Sequence, residues 1–309
     1  MTGGEGEGVK PSLRAEDLCA SVPQLSDLAD IEATSLFNEP SPNLTMQHLF
    51  ELKNAALEAF QSGADGVVVT QGTDTMEETS FAMDLLMPTG HKVIFTAAMR
   101  NPTQAGADGP ANLLAAVQVA ISDAIQNAGV LVVMNDEVHA PRHVKKSHTS
   151  SLQAFQSPAV GPVARISEGR VIPMAHHQPT PSFMVPDGAA FPNIPMIEMV
   201  FDDQLTLLDH LCENTIDGLV IAAFGGGRVP AKIVEKLDQL NIKIPVLITT
   251  RTGGGFLSTK TYGYPGGEMD LRSRGLLASS WQPRKARILL AFALMEGKNR
   301  DQIKRMFDE

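Results

Sequence analysis

The densest chemistry in this 309-residue chain lies between Val67 and Thr79. Val67-Val68-Val69 read as a buried strand that begins near Asp65, and Thr70-Gln71-Gly72-Thr73-Asp74 continue it into a polar loop. Thr75-Met76-Glu77-Glu78 has the spacing of a capping box, so a helix is predicted from about Thr75 to Met87. This order brings the Thr73 hydroxyl and the Asp74 carboxylate to the mouth of a helix, where unpaired N–H groups and a partial positive charge favour an anion. A small substrate carrying both a carboxylate and an ammonium would suit that pairing. The same two side chains would also serve as an ordinary helix cap.

Lys146 stands in His143-Val144-Lys145-Lys146-Ser147-His148-Thr149. A lysine buried beside a Thr–Asp pair can help to activate a hydroxyl, and a lysine in that string is equally at home in solvent. His139, His143, His148 and His176 suggest no metal set, because none has helical spacing with a carboxylate partner and His139 and His143 straddle Pro141. Gly225-Gly226-Gly227 follows a predicted strand but lacks the Lys-Ser/Thr of a phosphate loop, so it reads as a tight turn. No cofactor is expected.

The elements that would position these groups alternate along the chain. Helical periodicity runs from Ala15 to about Leu28, and Asn43 to Thr45 look like a cap for a helix over 46–62. Strands are predicted at 93–97 and 130–134, with a helix opened by Asp108-Gly109-Pro110 reaching about Gln126. Such alternation means a parallel sheet with helices on both faces, and ligands sit outside the carboxyl ends of its strands, where Thr73 and Asp74 fall. Gly161 to Ile172 reads as a hairpin turning at Glu168-Gly169. Residues 175–195 are rich in Pro, His, Ser and Gly and read as a linker. Beyond it strands at 197–201, 218–222 and 244–249 alternate with helices at 205–212, 230–240 and 283–295. The expected fold is α/β with two domains: a larger N-terminal, flavodoxin-like parallel-sheet domain over 1–174 and a smaller C-terminal α/β domain over 196–309.

Composition narrows the partners. A formal net charge of −10 disfavours a nucleic-acid backbone. No apolar run reaches the ~18 residues a membrane span needs. Cys19 and Cys212 lie far apart and read as free thiols of a reducing compartment, hence a cytoplasmic protein. No charged segment followed by an apolar stretch opens the chain, so no signal peptide is read.

Taken together, Thr70-Gln71-Gly72-Thr73-Asp74-Thr75-Met76-Glu77-Glu78-Thr79, Met99-Arg100 through Asp108-Gly109-Pro110 and Asn112-Leu113, Val132-Val133-Met134-Asn135-Asp136, Lys146-Ser147-His148-Thr149, Tyr262 through Glu268 and Pro283-Arg284-Lys285-Ala286-Arg287 resemble the bacterial-type L-asparaginase family. Gln71 replaces the histidine usual there. The resemblance implies a catalytic Thr73–Asp74–Lys146 group, with Thr73 and Lys146 assisting proton transfer and Asp74 binding the substrate's α-ammonium. It implies that Ser41 contacts the α-carboxylate, that the Ala98 main chain lies beside the amide, and that Glu268 reaches into a neighbouring subunit's site. It also implies a homo-oligomer, a tetramer built as a dimer of dimers, acting on L-asparagine and possibly L-glutamine.

One departure shapes the functional expectation. The family opens with a strand and a Thr-Gly-Gly-Thr-Ile motif whose second Thr is the nucleophile, whereas Thr2-Gly3-Gly4 is followed here by Glu5. The resemblance therefore implies that the first strand and the nucleophile precede Met1. Hydrolysis of L-asparagine to L-aspartate and ammonia is expected of the chain that includes them, and little or no turnover of the 309 residues alone. A glutaminase-leaning hydrolase, with Pro42 where a side-chain amide is often found, and a non-catalytic amino-acid binder or decayed homologue are the rival readings. An amidotransferase subunit acting on charged tRNA is disfavoured by the acidic balance.

Overall fold

The computed structural model describes residues 13–125, 128–176, 178, 180 and 182–307. The Gly-rich opening from Met1 to Lys10, with Thr2-Gly3-Gly4, and the predicted helix end at Gln126 lie outside them. The chain divides into two compact units, one ending at Ser182 and the other beginning at Phe183.

In the first unit the predicted helix from Ala15 stops early. Helix α1 covers Ala15–Ala20, and a 3-10 turn over Pro23–Asp27 follows. Pro23 has no N–H to donate and forces Val22 out of the helical region, to φ −131° and ψ 78°. Helix α2 is Met46–Gln61, entered where the Thr45 N–H donates to His48 Nδ1 at 3.1 Å. Then come β1 (Val67–Thr70), α3 (Met76–Leu86), β2 (Val93–Thr96), α4 (Gly109–Ile121) and β3 (Val130–Met134). Helix α4 carries Pro in its first turn as predicted and ends where Ser122 becomes extended and its hydroxyl accepts the Ala124 N–H.

Strands β1, β2 and β3 pair in parallel, Thr70 beside Thr96 and Phe95 beside Val132. Their alternation buries both faces. Val93, Phe95, Val130 and Val132 meet Ala56 of α2 with Met76 and Met83 of α3; Ile94, Leu131 and Val133 meet Ala115, Ala116 and Val119 of α4. Every β2 and β3 residue is buried, while Val67, Val68 and Val69 of the edge strand β1 are half-buried. The sheet is then extended by antiparallel strands: β4 (Glu137–His139), which the sequence had not separated, and the predicted hairpin of β7 (Ala164–Ser167) and β8 (Arg170–Pro173), in the order β1-β2-β3-β4-β7-β8. The β3–β4 turn uses Asn135 and Asp136 at φ 51° and 59°, and the predicted β7–β8 turn uses Glu168 and Gly169 at 51° and 71°. A separate ribbon joins β5 (Lys145–Lys146) to β6 (Phe155–Gln156).

The second unit holds a wholly parallel sheet of β9 (Met196–Glu198), β10 (Leu219–Ala223), β11 (Val246–Thr250) and β12 (Leu277–Ala278), in the order β12-β11-β10-β9. Helices α5 (Thr206–Glu213) and α6 (Val234–Lys243) cover one face through Leu208, Leu211, Leu237 and Leu240. Helix α7 (Glu268–Ser273) precedes β12, and α8 (Pro283–Met295) and α9 (Arg300–Phe307) close the unit. Gly225-Gly226-Gly227 is a tight turn, closed by the Phe224 N–H donating to the Arg228 carbonyl at 2.9 Å. Among the described residues no helix is long and apolar enough to cross a membrane.

Helix α3 is buried along almost its whole length, and Asp84 goes with it at 4% exposure. Burial pushes its carboxyl from 3.8 up to about 6, against the pull of the Thr180 side chain, the Thr180 and Val130 main-chain groups and the Arg142 charge. The folded state thus holds this proton more tightly than the unfolded chain. Its contribution is most favourable below the unfolded value and is lost as pH rises through the folded one, a swing of about 3 kcal/mol. Asp84→Asn should remove that swing, so urea titrations should show the variant gaining on the parent between about pH 4 and 7. A stability difference that stays constant across that range would refute the assignment.

Candidate active site

The carboxyl ends of two adjacent parallel strands, β1 and β2, release the loops that carry the candidate residues, as expected for an α/β sheet. From β1 the chain runs through Gln71 and Gly72 to Thr73 and Asp74, then enters α3. Lys146 arrives from the β5–β6 ribbon. Its Nζ donates to Thr73 Oγ1 at 2.8 Å and to Asp74 Oδ1 at 2.6 Å. The lysine side chain is 17% exposed and the aspartate 62%, so the group faces outward over a covered base.

Ser41 joins the same cluster. It starts a short 3-10 turn, Ser41–Asn43, and is buried, and its Oγ accepts the Asp74 N–H at 3.2 Å. Thr75 Oγ1 donates to the Ser41 carbonyl at 3.0 Å. This corrects one sequence expectation: the Thr75 hydroxyl makes no cap bond to α3 but ties the helix entrance to the Ser41 turn. Gln71, in the place of the usual histidine, accepts the Thr79 hydroxyl at 2.9 Å and donates to the Gly72 carbonyl at 3.2 Å, bracing the loop from within.

Gly72 is required by close approach. A Cβ there would lie 2.8 Å from Ser41 Oγ and 3.1 Å from Ser41 Cβ. Gly72→Ala must therefore displace the buried Ser41, an overpacking change that costs typically about 1–3 kcal/mol. Urea unfolding should show Gly72→Ala less stable than the parent by about that amount. Unchanged stability would mean that Ser41 yields to the added methyl without cost.

Ala98 lies on the loop after β2. Its neighbours are held by groups to which the sequence alone assigned no role. Asp108 accepts the Met99 N–H at 2.9 Å and the Arg100 N–H at 2.9 Å, and buried Asn112 donates to the Ala97 carbonyl at 2.9 Å while accepting the Asn135 N–H at 2.9 Å. Their signal was the Asp108-Gly109-Pro110 helix start, where a carboxylate could be assigned to capping alone.

Glu268 belongs to the second unit, in the first turn of α7, and is 3% exposed within this chain. Its Oε1 accepts the Thr261 and Tyr262 N–H groups, each at 2.7 Å. Burial raises its carboxyl, but the main-chain donors of Tyr262, Glu268 and Thr261 and the Arg228 charge outweigh that and hold it below the usual glutamate range. Thr73, Asp74, Lys146 and Ser41 are thus gathered at one point, and Ala98 is placed by the neighbouring loop.

Comparison with known proteins adds to this geometry. The family description "Asparaginase, N-terminal" matches residues 1–179 and "Glutaminase/Asparaginase C-terminal domain" matches residues 193–307. A probable L-asparaginase of Deinococcus radiodurans is 34% identical over 88% of this chain and 84% of its own length. A glutaminase-asparaginase of Pseudomonas aeruginosa is 30% identical over 95% of this chain and 82% of its own. The crystal structure of a probable cytoplasmic L-asparaginase from Campylobacter jejuni superposes with a TM-score of 0.87 at 29% identity, covering 95% of this chain and 93% of that one.

Proposed function

This chain belongs to the asparaginase family, and on that premise we propose that its Thr73–Asp74–Lys146 group serves the hydrolysis of L-asparagine to L-aspartate and ammonia. The observation that carries the reading is the Lys146 ammonium, which bridges the Thr73 hydroxyl and the Asp74 carboxylate. A threonine hydroxyl attacks the side-chain amide carbon, ammonia leaves with a proton passed through Thr73 and Lys146, and water then hydrolyses the ester to release L-aspartate. Asp74 takes the substrate's α-ammonium, Ser41 its α-carboxylate, and the Ala98 main chain stands beside the amide. The nucleophilic threonine is assigned to the family's opening motif and not to Thr73.

The proposal includes a homotetramer, a dimer of dimers, with Glu268 contributing to a neighbour's site, and a cytoplasmic location. The likeness to the probable cytoplasmic L-asparaginase of Campylobacter jejuni supports the location. Sedimentation analysis tests the assembly.

The deciding experiment compares the 309-residue chain with an extended chain in which the family's opening strand and Thr-Gly-Gly-Thr-Ile segment precede it. Ammonia release from L-asparagine is expected of the extended chain, and L-aspartate binding of both. An extended chain that folds yet releases no ammonia from L-asparagine would overturn the reading, and faster release from L-glutamine would favour the glutaminase-leaning alternative.

A further inference from the structure

We propose that Glu77 is a positioning residue for this reaction: its buried carboxylate grips the main chain of Lys146 and thereby sets the Lys146 ammonium against Thr73 and Asp74. The proposal rests on the reading of those three residues as the reacting group.

Lys146 sits on an insecure element. Strand β5 is two residues long, half-buried, and among the described residues paired only with the equally short β6, in a ribbon outside the six-stranded sheet. A four-carbon side chain on such a strand has many ways to miss a target. The two strands are joined to each other just beyond their paired residues by the Ser147 N–H, which donates to the Ala154 carbonyl at 2.7 Å. The Lys146 N–H turns instead to α3 and donates to Glu77 Oε2 at 2.6 Å. A hydrogen bond to an ionised acceptor at that length is of the strong kind.

The five residues from Thr73 to Glu77 therefore hold Lys146 at both ends. Thr73 and Asp74 take the ammonium, and Glu77, in the first turn of α3, takes the main chain. Because the loop and the helix entrance are one continuous segment, any drift of the strand relative to Thr73 must break the Glu77 bond. Glu77 is 2% exposed, and burying a carboxylate is costly without a partner of this kind. Its place at a helix N-terminus offsets part of that cost.

Two readouts test the grip. The first is the labelling rate of Lys146 by acetic anhydride, followed by peptide mass spectrometry in the 309-residue chain, which requires no turnover. Glu77→Ala should raise that rate about tenfold while Lys92 and Lys298 label as in the parent, because a freed ammonium leaves Thr73 and Asp74. Glu77→Gln keeps an acceptor oxygen and should stay within about threefold of the parent. The second is turnover of the extended chain, where Glu77→Ala should lower kcat about 10- to 100-fold with KM within about threefold, since Ser41 stays in place and the Asp74 main chain stays bonded to it. If Glu77→Ala does not fold, Glu77→Asp withdraws the carboxylate by one methylene and carries the same expected rise in labelling. Parent-like Lys146 labelling in Glu77→Ala, or in Glu77→Asp should that replace it, overturns the proposal, as does a Glu77→Gln rate as high as that of the truncated variant. An extended parent that releases no ammonia defeats the proposed hydrolysis while the labelling result still decides the role of Glu77.

Discussion

Thr73→Ala is expected to lower kcat for L-asparagine in the extended chain by about 1,000-fold, within the range that a positioned proton-transfer group supplies. The reason is geometric. Of the two side chains that the Lys146 ammonium meets, Thr73 offers a hydroxyl that can pass a proton onward, at 2.8 Å, whereas Asp74 is an acceptor. Removing the hydroxyl leaves Lys146 paired with Asp74 and severs the proposed relay to the leaving ammonia. The fold should be little affected, because Thr73 is half-buried on a loop and lies outside the packed strips of β2 and β3. Thermal unfolding should therefore shift by no more than a surface substitution does, about 0.5 kcal/mol. L-Aspartate should still bind, since Asp74 and Ser41 remain. A variant that turns over at near-parent rates would take Thr73 out of the reaction, and one that also loses L-aspartate would move its role from proton transfer to binding.

The reach of the sequence can be judged from particular elements. Strands β1, β2, β3, β10 and β11 were legible because each is a short β-branched run with turn residues beside it; all but the half-buried β1 are buried on both sides. The parallel core with helices on two faces followed from their alternation with α3, α4 and α6. Among what escaped were elements too short for any periodicity, the two-residue β5, β6 and β12, the three-residue β4 and the six-residue α7; the eight-residue α9 was missed as well. The fully parallel expectation for the first sheet holds for β1–β3. The β7–β8 hairpin was legible from its Glu168-Gly169 turn, but its joining this sheet through β4 was not, because that pairing links residues far apart in sequence. For the site, local spacing offered Thr73 and Asp74 but left them balanced against a helix cap. Lys146, 73 residues away from Thr73, could be tied to them only by family resemblance, because nothing in its local string separates it from Lys145. Glu77 and Asp84 were hidden for the opposite reason. Both stand on a helix whose burial is nearly complete, and charged residues in a helical pattern are read as its wet side.

Asp74→Ala should weaken L-aspartate binding by at least about 30-fold, because truncating one member of a hydrogen-bonded charge pair costs about 2–5 kcal/mol. The Asp74 side chain is 62% exposed, and an ion pair so placed contributes little to stability. Its value to a ligand is different in kind. The ligand's ammonium would lie between the carboxylate and the protein, with water displaced and the loop already fixed by the Asp74 N–H bond to Ser41 Oγ at 3.2 Å. No loop ordering is then needed on binding, so most of the charge interaction appears as affinity. Succinate, which has the two carboxylates of aspartate and no ammonium, separates this from a general loss of the site. It should bind the parent more weakly than L-aspartate does, and it should lose little further affinity in Asp74→Ala. If the substitution weakens succinate and L-aspartate by the same factor, Asp74 acts on the site through Lys146 or the loop, and its assignment to the α-ammonium fails.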